Sequence, residues 1–121
     1  MKTVLVADDR DSSRELIRTI LQLSRFSVIE ATNGAEAIFL VHDKRPDLVV
    51  LDLHMPIRDG FEVLRELRSD PPFQSIPVIA LTSSADHGGR ERALDCGFSS
   101  YLTKPLNLAA FRKEVSRLLP T

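Results

Sequence analysis

At 121 residues the chain is long enough for one domain with a single hydrophobic core and too short for two. A net charge of -1 gives neither the basic field that direct nucleic-acid binding needs nor a polybasic patch for a membrane surface, and 43% apolar with 27% charged residues is ordinary for a globular fold. Cys96 is the only cysteine, so no internal disulfide can form and a reducing, cytoplasmic setting is expected, while no apolar stretch reaches membrane-spanning length.

Val4-Leu5-Val6-Ala7 reads as a buried strand running into Asp8-Asp9, and Met1-Lys2-Thr3 leads straight into it, so no signal peptide is expected. Ser12-x-x-Glu15 has the spacing of a capping box, followed by Leu16, Ile17, Ile20, Leu21 and Leu23 at helical intervals. Ser27 to Ala31 is a short second strand. Asn33 is placed to cap a second helix with Ala37, Ile38, Leu40 and Val41 on its apolar face, and Lys44-Arg45-Pro46 stops it. A third strand covers Asp47 to Leu51 and ends against Asp52. A loop with Pro56 and Gly60 precedes a third helix carrying Phe61, Val63, Leu64 and Leu67. Pro71-Pro72 breaks the chain before a fourth strand, Val78 to Leu81, which runs into Thr82. Gly88-Gly89 weakens the start of a fourth helix, at about 1 kcal/mol per glycine against alanine, and Gly97 is suited to end it in a left-handed conformation. Ser99 to Leu102 forms a fifth strand leading to Thr103-Lys104, and Leu108, Phe111, Val115, Leu118 and Leu119 make the core stripe of a last helix.

Five strands alternating with five helices predict a parallel sheet covered on both faces. Right-handed crossovers leave few topologies, and a flavodoxin-like (βα)5 doubly wound sheet of strand order 2-1-3-4-5 is the expectation for residues 1–121 as one domain. That order makes the first and third strands neighbours. Ligands of such sheets bind beyond the carboxyl ends of the strands, so Asp8, Asp9, Asp52, Thr82 and Lys104 are expected in one pocket.

Three carboxylates in one pocket repel each other unless a cation intervenes. A hard divalent ion, Mg²⁺ or Mn²⁺, suits such oxygen donors. Asp9 and Asp52 are assigned to direct ligation, Asp8 to a water-mediated role, and the backbone carbonyl of His54 to a further ligand. A carboxylate can itself attack phosphorus to give an aspartyl-phosphate. Lys104 would then neutralise phosphoryl charge and Thr82 would donate a hydrogen bond to a phosphoryl oxygen. The bland readings are a surface acid for Asp52, a helix-capping role for Asp8 or Asp9, a strand-end threonine and a solvated lysine. The three histidines (His42, His54, His87) show no zinc-ligand spacing, and His42, His87 and Cys96 read as structural or surface residues.

Asp8-Asp9, the run Asp52-Leu-His-Met-Pro-x-x-Asp-Gly, Thr82 and Tyr101-x-x-Lys104-Pro105 together resemble the receiver domain of two-component response regulators, over essentially the whole chain. The resemblance implies that Asp52 takes a phosphoryl group from a phosphohistidine on a sensor histidine kinase or a histidine phosphotransfer protein, as in a phosphorelay, and loses it slowly by hydrolysis. It implies a switch in which Thr82 moves toward the phosphoryl group and the Tyr101 ring turns inward. The surface of the fourth helix, fifth strand and fifth helix (α4-β5-α5) would then change its affinity for a downstream protein, and a homodimer through that surface is a further implied partner. His54 and Ser84 would tune the dephosphorylation rate, and a cis bond before Pro105 is also implied. Such a module catalyses only its own modification. The alternative is a receiver-like interaction module that binds partners without phosphotransfer. An aspartyl-nucleophile phosphatase is a further rival, but it usually needs an acid-base aspartate where this chain has His54, and a lid for which no segment is spare.

Overall fold

The alternation of buried apolar runs with amphipathic stretches produces five parallel strands joined by helical crossovers. In the computed structural model, which describes residues 1–83 and 89–120, the strands are β1 (Thr3–Ala7), β2 (Ser27–Ala31), β3 (Leu48–Asp52), β4 (Val78–Thr82) and β5 (Ser100–Thr103). The helices between and after them are α1 (Asp11–Leu23), α2 (Gly34–Lys44), α3 (Gly60–Ser69), α4 (Gly89–Cys96) and α5 (Leu108–Leu118), with a short 3-10 helix at Pro71–Phe73. The sheet order is β2-β1-β3-β4-β5, all parallel, as expected.

Side chains alternate between the faces of a strand, so each strand feeds two apolar layers. Leu5, Val49, Leu51, Val78 and Ala80 pack under α2, α3 and α4; Val4, Val6, Leu48, Val50, Ile79 and Leu81 pack under α1 and α5. Every residue of β3 and β4 is buried, whereas edge strand β2 is only partly so. Each fully buried valine, leucine or isoleucine contributes about 1.5–3 kcal/mol. The central strands therefore contribute heavily to the cohesion, and their carboxyl ends are buried.

Asn33 caps α2 by accepting the Glu36 N–H, and Gly97 has φ of 113°, the left-handed stop expected after α4. The Lys104–Pro105 peptide is cis. Four expectations need correction. The Ser12–Glu15 capping box does not form: α1 starts at Asp11, and the cap residue Arg10 makes no side-chain cap bond. A capping box does form at α3, where Asp59 accepts the Glu62 N–H at 2.9 Å and Glu62 accepts the Asp59 N–H at 3.3 Å. Leu108 is 45% exposed and outside the core, because it opens α5 before the stripe of Phe111 and Val115 turns onto the sheet. Leu16 and Leu23 of α1 are likewise exposed, leaving Ile17, Ile20 and Leu21 as its buried face. The third and fifth strands are each displaced by one residue from their expected limits. Gly89 opens α4; Gly88 and His87 lie outside the described residues. No helix among those described is long and apolar enough to cross a membrane.

Candidate functional site

Strand register puts the site together. Ala7 pairs with Leu51, Asp52 with Leu81, and Thr82 with Thr103, so the next residues along each strand emerge side by side. Carboxylate oxygens of Asp8, Asp9 and Asp52 lie within 4.8 Å of one another. Asp8 is fully buried, Asp52 is 5% exposed and Asp9 faces solvent. From the end of β5, Lys104 Nζ reaches Asp8 Oδ2 at 2.8 Å and Asp52 Oδ2 at 3.4 Å. Thr82 is buried at the end of β4, and its carbonyl accepts the Lys104 N–H at 2.8 Å. All five residues thus stand at the strand ends where the sheet pattern placed them.

The two buried carboxylates differ electrostatically. Burial works to raise the pKa of Asp8, but hydrogen bonds from Lys104, Ser13 and the Arg10 N–H outweigh it and hold this carboxyl below its ordinary value. Asp52 goes the other way. Its burial raises the pKa against the lowering effects of the His54 N–H and of Lys104, and the charge on Asp8 adds to the rise. Asp8 is thus a firmly ionised anchor, while Asp52 is a more basic carboxylate.

Two contributors escaped the sequence reading. Ser13 Oγ donates to Asp8 Oδ2 at 2.6 Å, and Arg14 Nη1 donates to the Asp8 carbonyl at 3.0 Å. Arg14 is itself fixed by Asp11 at 2.6 Å and Glu30 at 3.3 Å, and Glu30 also binds Arg18 at 2.9 Å. Asp8 accepts the Arg10 N–H through Oδ1 at 2.9 Å, so the acid also organises the entry to α1. The turn before that helix is built from the site outward, which is why no Ser12 cap is needed.

The loop after β3 shapes the opposite wall. His54 N–H donates to Asp52 Oδ1 at 3.0 Å, while the His54 side chain is exposed. Ile57 has φ of 72° and the Arg58 N–H bonds back to the Pro56 carbonyl at 2.8 Å, a three-residue turn of the strained kind. Gly60 lies so close beneath that a Cβ there would meet the Asp52 carbonyl at 2.8 Å. Tyr101 is 7% exposed and packs in the layer beneath α2, α3 and α4. Ser84, the other expected rate-tuning residue, lies outside the described residues.

Three carboxylates facing one ammonium leave two negative charges, and all the donors are hard oxygens. That donor set fits a divalent ion of the Mg²⁺ class, with Asp9 as its open, solvent-side member.

A model of the response regulator receiver domain matches residues 4–116. Over 118 residues the chain is 33% identical to the polar-differentiation response regulator DivK of Brucella anthropi, covering 98% of this chain and 96% of that protein. It is 38% identical over 116 residues to the sensor protein EvgS of Escherichia coli, covering 96% of this chain but 10% of EvgS. The chemotaxis response regulator CheY4 of Vibrio cholerae superposes with a TM-score of 0.90 at 28% identity, over 98% of this chain and 99% of that one. The receiver domain of sensor histidine kinase PA1611 from Pseudomonas aeruginosa, solved with magnesium coordinated in its active site cleft, also has a TM-score of 0.90 at 28% identity, covering 99% of this chain and 98% of that one.

Proposed function

This chain belongs to the response regulator receiver domain family, the signalling modules of two-component systems, and on that premise we propose that Asp52 is its phosphoacceptor and that phosphorylation switches a protein-binding surface. The observation that carries the reading is the convergence of Asp8, Asp9 and Asp52 with Lys104 bridging the two buried acids. Asp9 and Asp52 with the His54 carbonyl would hold Mg²⁺, with Asp8 acting through a water. When bound, the ion supplies charge neutralisation for phosphoryl oxygens.

The protein groups divide the remaining work. Asp52 Oδ1 is engaged by the His54 N–H at 3.0 Å, whereas Oδ2 has the longer Lys104 contact at 3.4 Å and is the oxygen presented to phosphorus. A P–O bond forms there as the P–N bond to the donor imidazole breaks, and the leaving nitrogen keeps the electron pair. Lys104 stands where equatorial phosphoryl charge develops, and Thr82, buried at the next strand end, donates to a phosphoryl oxygen. In the separate hydrolytic step water bonds to phosphorus as the Asp52 Oδ2–P bond breaks, Asp52 leaves as a carboxylate and the water's protons go to the released phosphate and solvent, with His54 and Ser84 setting how readily water reaches phosphorus. The donor is a phosphohistidine on a sensor kinase or phosphotransfer protein. Thr82 and Tyr101 relay occupancy to the surface of α4, β5 and α5, where a downstream protein or a second copy docks. The setting is cytoplasmic, and the chemistry is confined to the domain's own modification.

Intact-protein mass after incubation with acetyl phosphate, with and without Mg²⁺, tests this on the wild type and Asp52→Asn. A Mg²⁺-dependent phosphoryl adduct absent from the variant is the expected result. No adduct under any condition, with the fold intact, would leave a constitutive binding module as the better account.

A further inference from the structure

Between α3 and α4 lies a groove of ≈ 360 Å³, with Phe61 and Leu64 as its apolar floor and Arg65, Arg68 and Arg92 around it. Charge is sorted across α3. Its acids, Glu62 and Glu66, are both engaged with Arg58. Its arginines face α4 instead, and among the described residues none of the three arginines around the groove forms a salt bridge with a carboxylate.

The three arginines have different duties. Arg68 is a fixture: Nε and Nη2 donate to the Gly97 carbonyl at 3.2 and 2.9 Å, and Nη1 donates to the Phe73 carbonyl at 3.1 Å. Carbonyl dipoles satisfy its hydrogen bonds and leave its charge, and burial shifts its pKa downward with no acid acting the other way. Arg92 Cζ stands over the Phe61 ring, 4.2 Å from its centroid, and among the described residues its N–H groups make no hydrogen bond; Phe61 in turn meets Phe98 edge to face at 5.6 Å. Arg65 is exposed and, among the described residues, makes no hydrogen bond or ion pair. Two guanidinium forks with open donors, beside a third fixed positive charge, are matched by bidentate phosphoryl oxygens.

We propose that the α3–α4 groove is a second binding site, distinct from the strand-end site, for a small phosphorylated ligand carrying at least two negative charges. Arg65 and Arg92 make the direct contacts, and Arg68 contributes field and shape. Because the two contacting arginines stand on different helices, an occupant joins α4 to α3. α4 has only Ala93 fully buried, so such a link adds materially to its anchorage.

Inorganic pyrophosphate, without metal, is the probe, and amide NMR shifts are the readout. Saturable shifts at Phe61, Arg65, Arg92 and Cys96 are expected, weakening with added salt. The double variant Arg65→Gln/Arg92→Gln should bind at least about tenfold more weakly, since it loses two charge-assisted contacts. Asp52→Asn should bind as the wild type does, which separates this site from the phosphotransfer reading. The single thiol, exposed Cys96 on the groove wall, gives a second measurement. Its alkylation by anionic iodoacetate relative to neutral iodoacetamide should fall in the double variant and on adding pyrophosphate. Shifts confined to Asp8, Asp52 and Lys104, no saturable shift, or equal binding by a double variant with native circular dichroism would each overturn the proposal.

Discussion

Ser13 donates to Asp8 Oδ2 across 2.6 Å, on the same carboxylate oxygen that Lys104 Nζ reaches at 2.8 Å. One oxygen thus takes two strong donors while Oδ1 takes the Arg10 N–H, leaving Asp8 no rotational freedom. Groups that orient a metal-binding carboxylate typically contribute 10–100-fold to affinity. Ser13→Ala is expected to weaken Mg²⁺ binding by roughly tenfold with little loss of stability, and Ser13→Thr to restore it. Amide-shift titrations with Mg²⁺ alone measure this; an unchanged affinity in Ser13→Ala would deny the residue a positioning role.

The opposed shifts of the two buried acids give a stability test. Asp52 has a folded pKa raised by burial, so its ionisation destabilises the metal-free fold, and that loss is complete once pH has risen through the folded value. Asp52→Asn should therefore raise the urea midpoint at pH 7, with the gain shrinking as pH falls toward the ordinary carboxylate value of 3.8. A variant less stable than the wild type at pH 7 would contradict this assignment of strain.

Ile57 sits at φ of 72° with 74% exposure, a costly conformation for a β-branched residue and one with no packing to repay it. Ile57→Gly should stabilise the fold by about 1 kcal/mol, the left-handed penalty less the extra chain entropy of glycine. Chemical denaturation measures it, and a destabilised variant would mean that the exposed side chain has a contact worth more than the strain.

Gly60 is the reverse case. An added Cβ would stand 2.8 Å from the Asp52 carbonyl and 2.9 Å from Leu53 Cα, both backbone atoms that cannot swing aside. Gly60→Ala is expected to cost about 1–3 kcal/mol and to slow adduct formation at Asp52. Retention of both stability and rate would show that the loop has room to shift.

His42 joins α2 to the segment after α3. Nδ1 faces the Ile38 carbonyl at 2.8 Å and Nε2 faces Asp70 at 2.7 Å, so both ring nitrogens meet acceptors and the imidazolium is favoured. Its pKa is accordingly raised above 6.5, by the Ile38 carbonyl first and Asp70 second. The contribution to stability is present in full below the ordinary imidazole pKa and is lost as pH rises through the higher folded value. With 45% of the side chain exposed, solvent screening keeps it small. An NMR titration should place His42 above 6.5 in the wild type and lower it in Asp70→Asn; equal titration curves would remove Asp70 from the account.

The strand-end residues were legible because a polar residue after a buried apolar run has one place to go in a parallel sheet. Asp8, Asp52 and Lys104 follow from that rule and from the strand order alone. Ser13 and Arg14 were not legible, since their contacts depend on how α1 is rotated over β1, which periodicity does not set. The spacing Ser12-x-x-Glu15 matched a capping box as well as Asp59-x-x-Glu62 does, yet only the second forms. Asp8 had already organised the entry to α1, whereas Asp59 meets a free helix start at Gly60. Leu108 misled because it continues the apolar interval of α5 one turn beyond the contact with the sheet.

Arg68 fastens the far end of α4 by two bonds to Gly97, whereas Arg90, at the start of the helix, reaches the Tyr101 carbonyl by one bond at 3.3 Å. Among the described residues the helix is thus tied by two bonds beyond its C-terminus and by one near its N-terminus, to the strand residue expected to report on Thr82. Eight residues at 1.5 Å each give a lever arm of about 12 Å. Release of the Arg90 bond would let a small rotation about the Gly97 end appear, through that arm, as a larger displacement at Gly89.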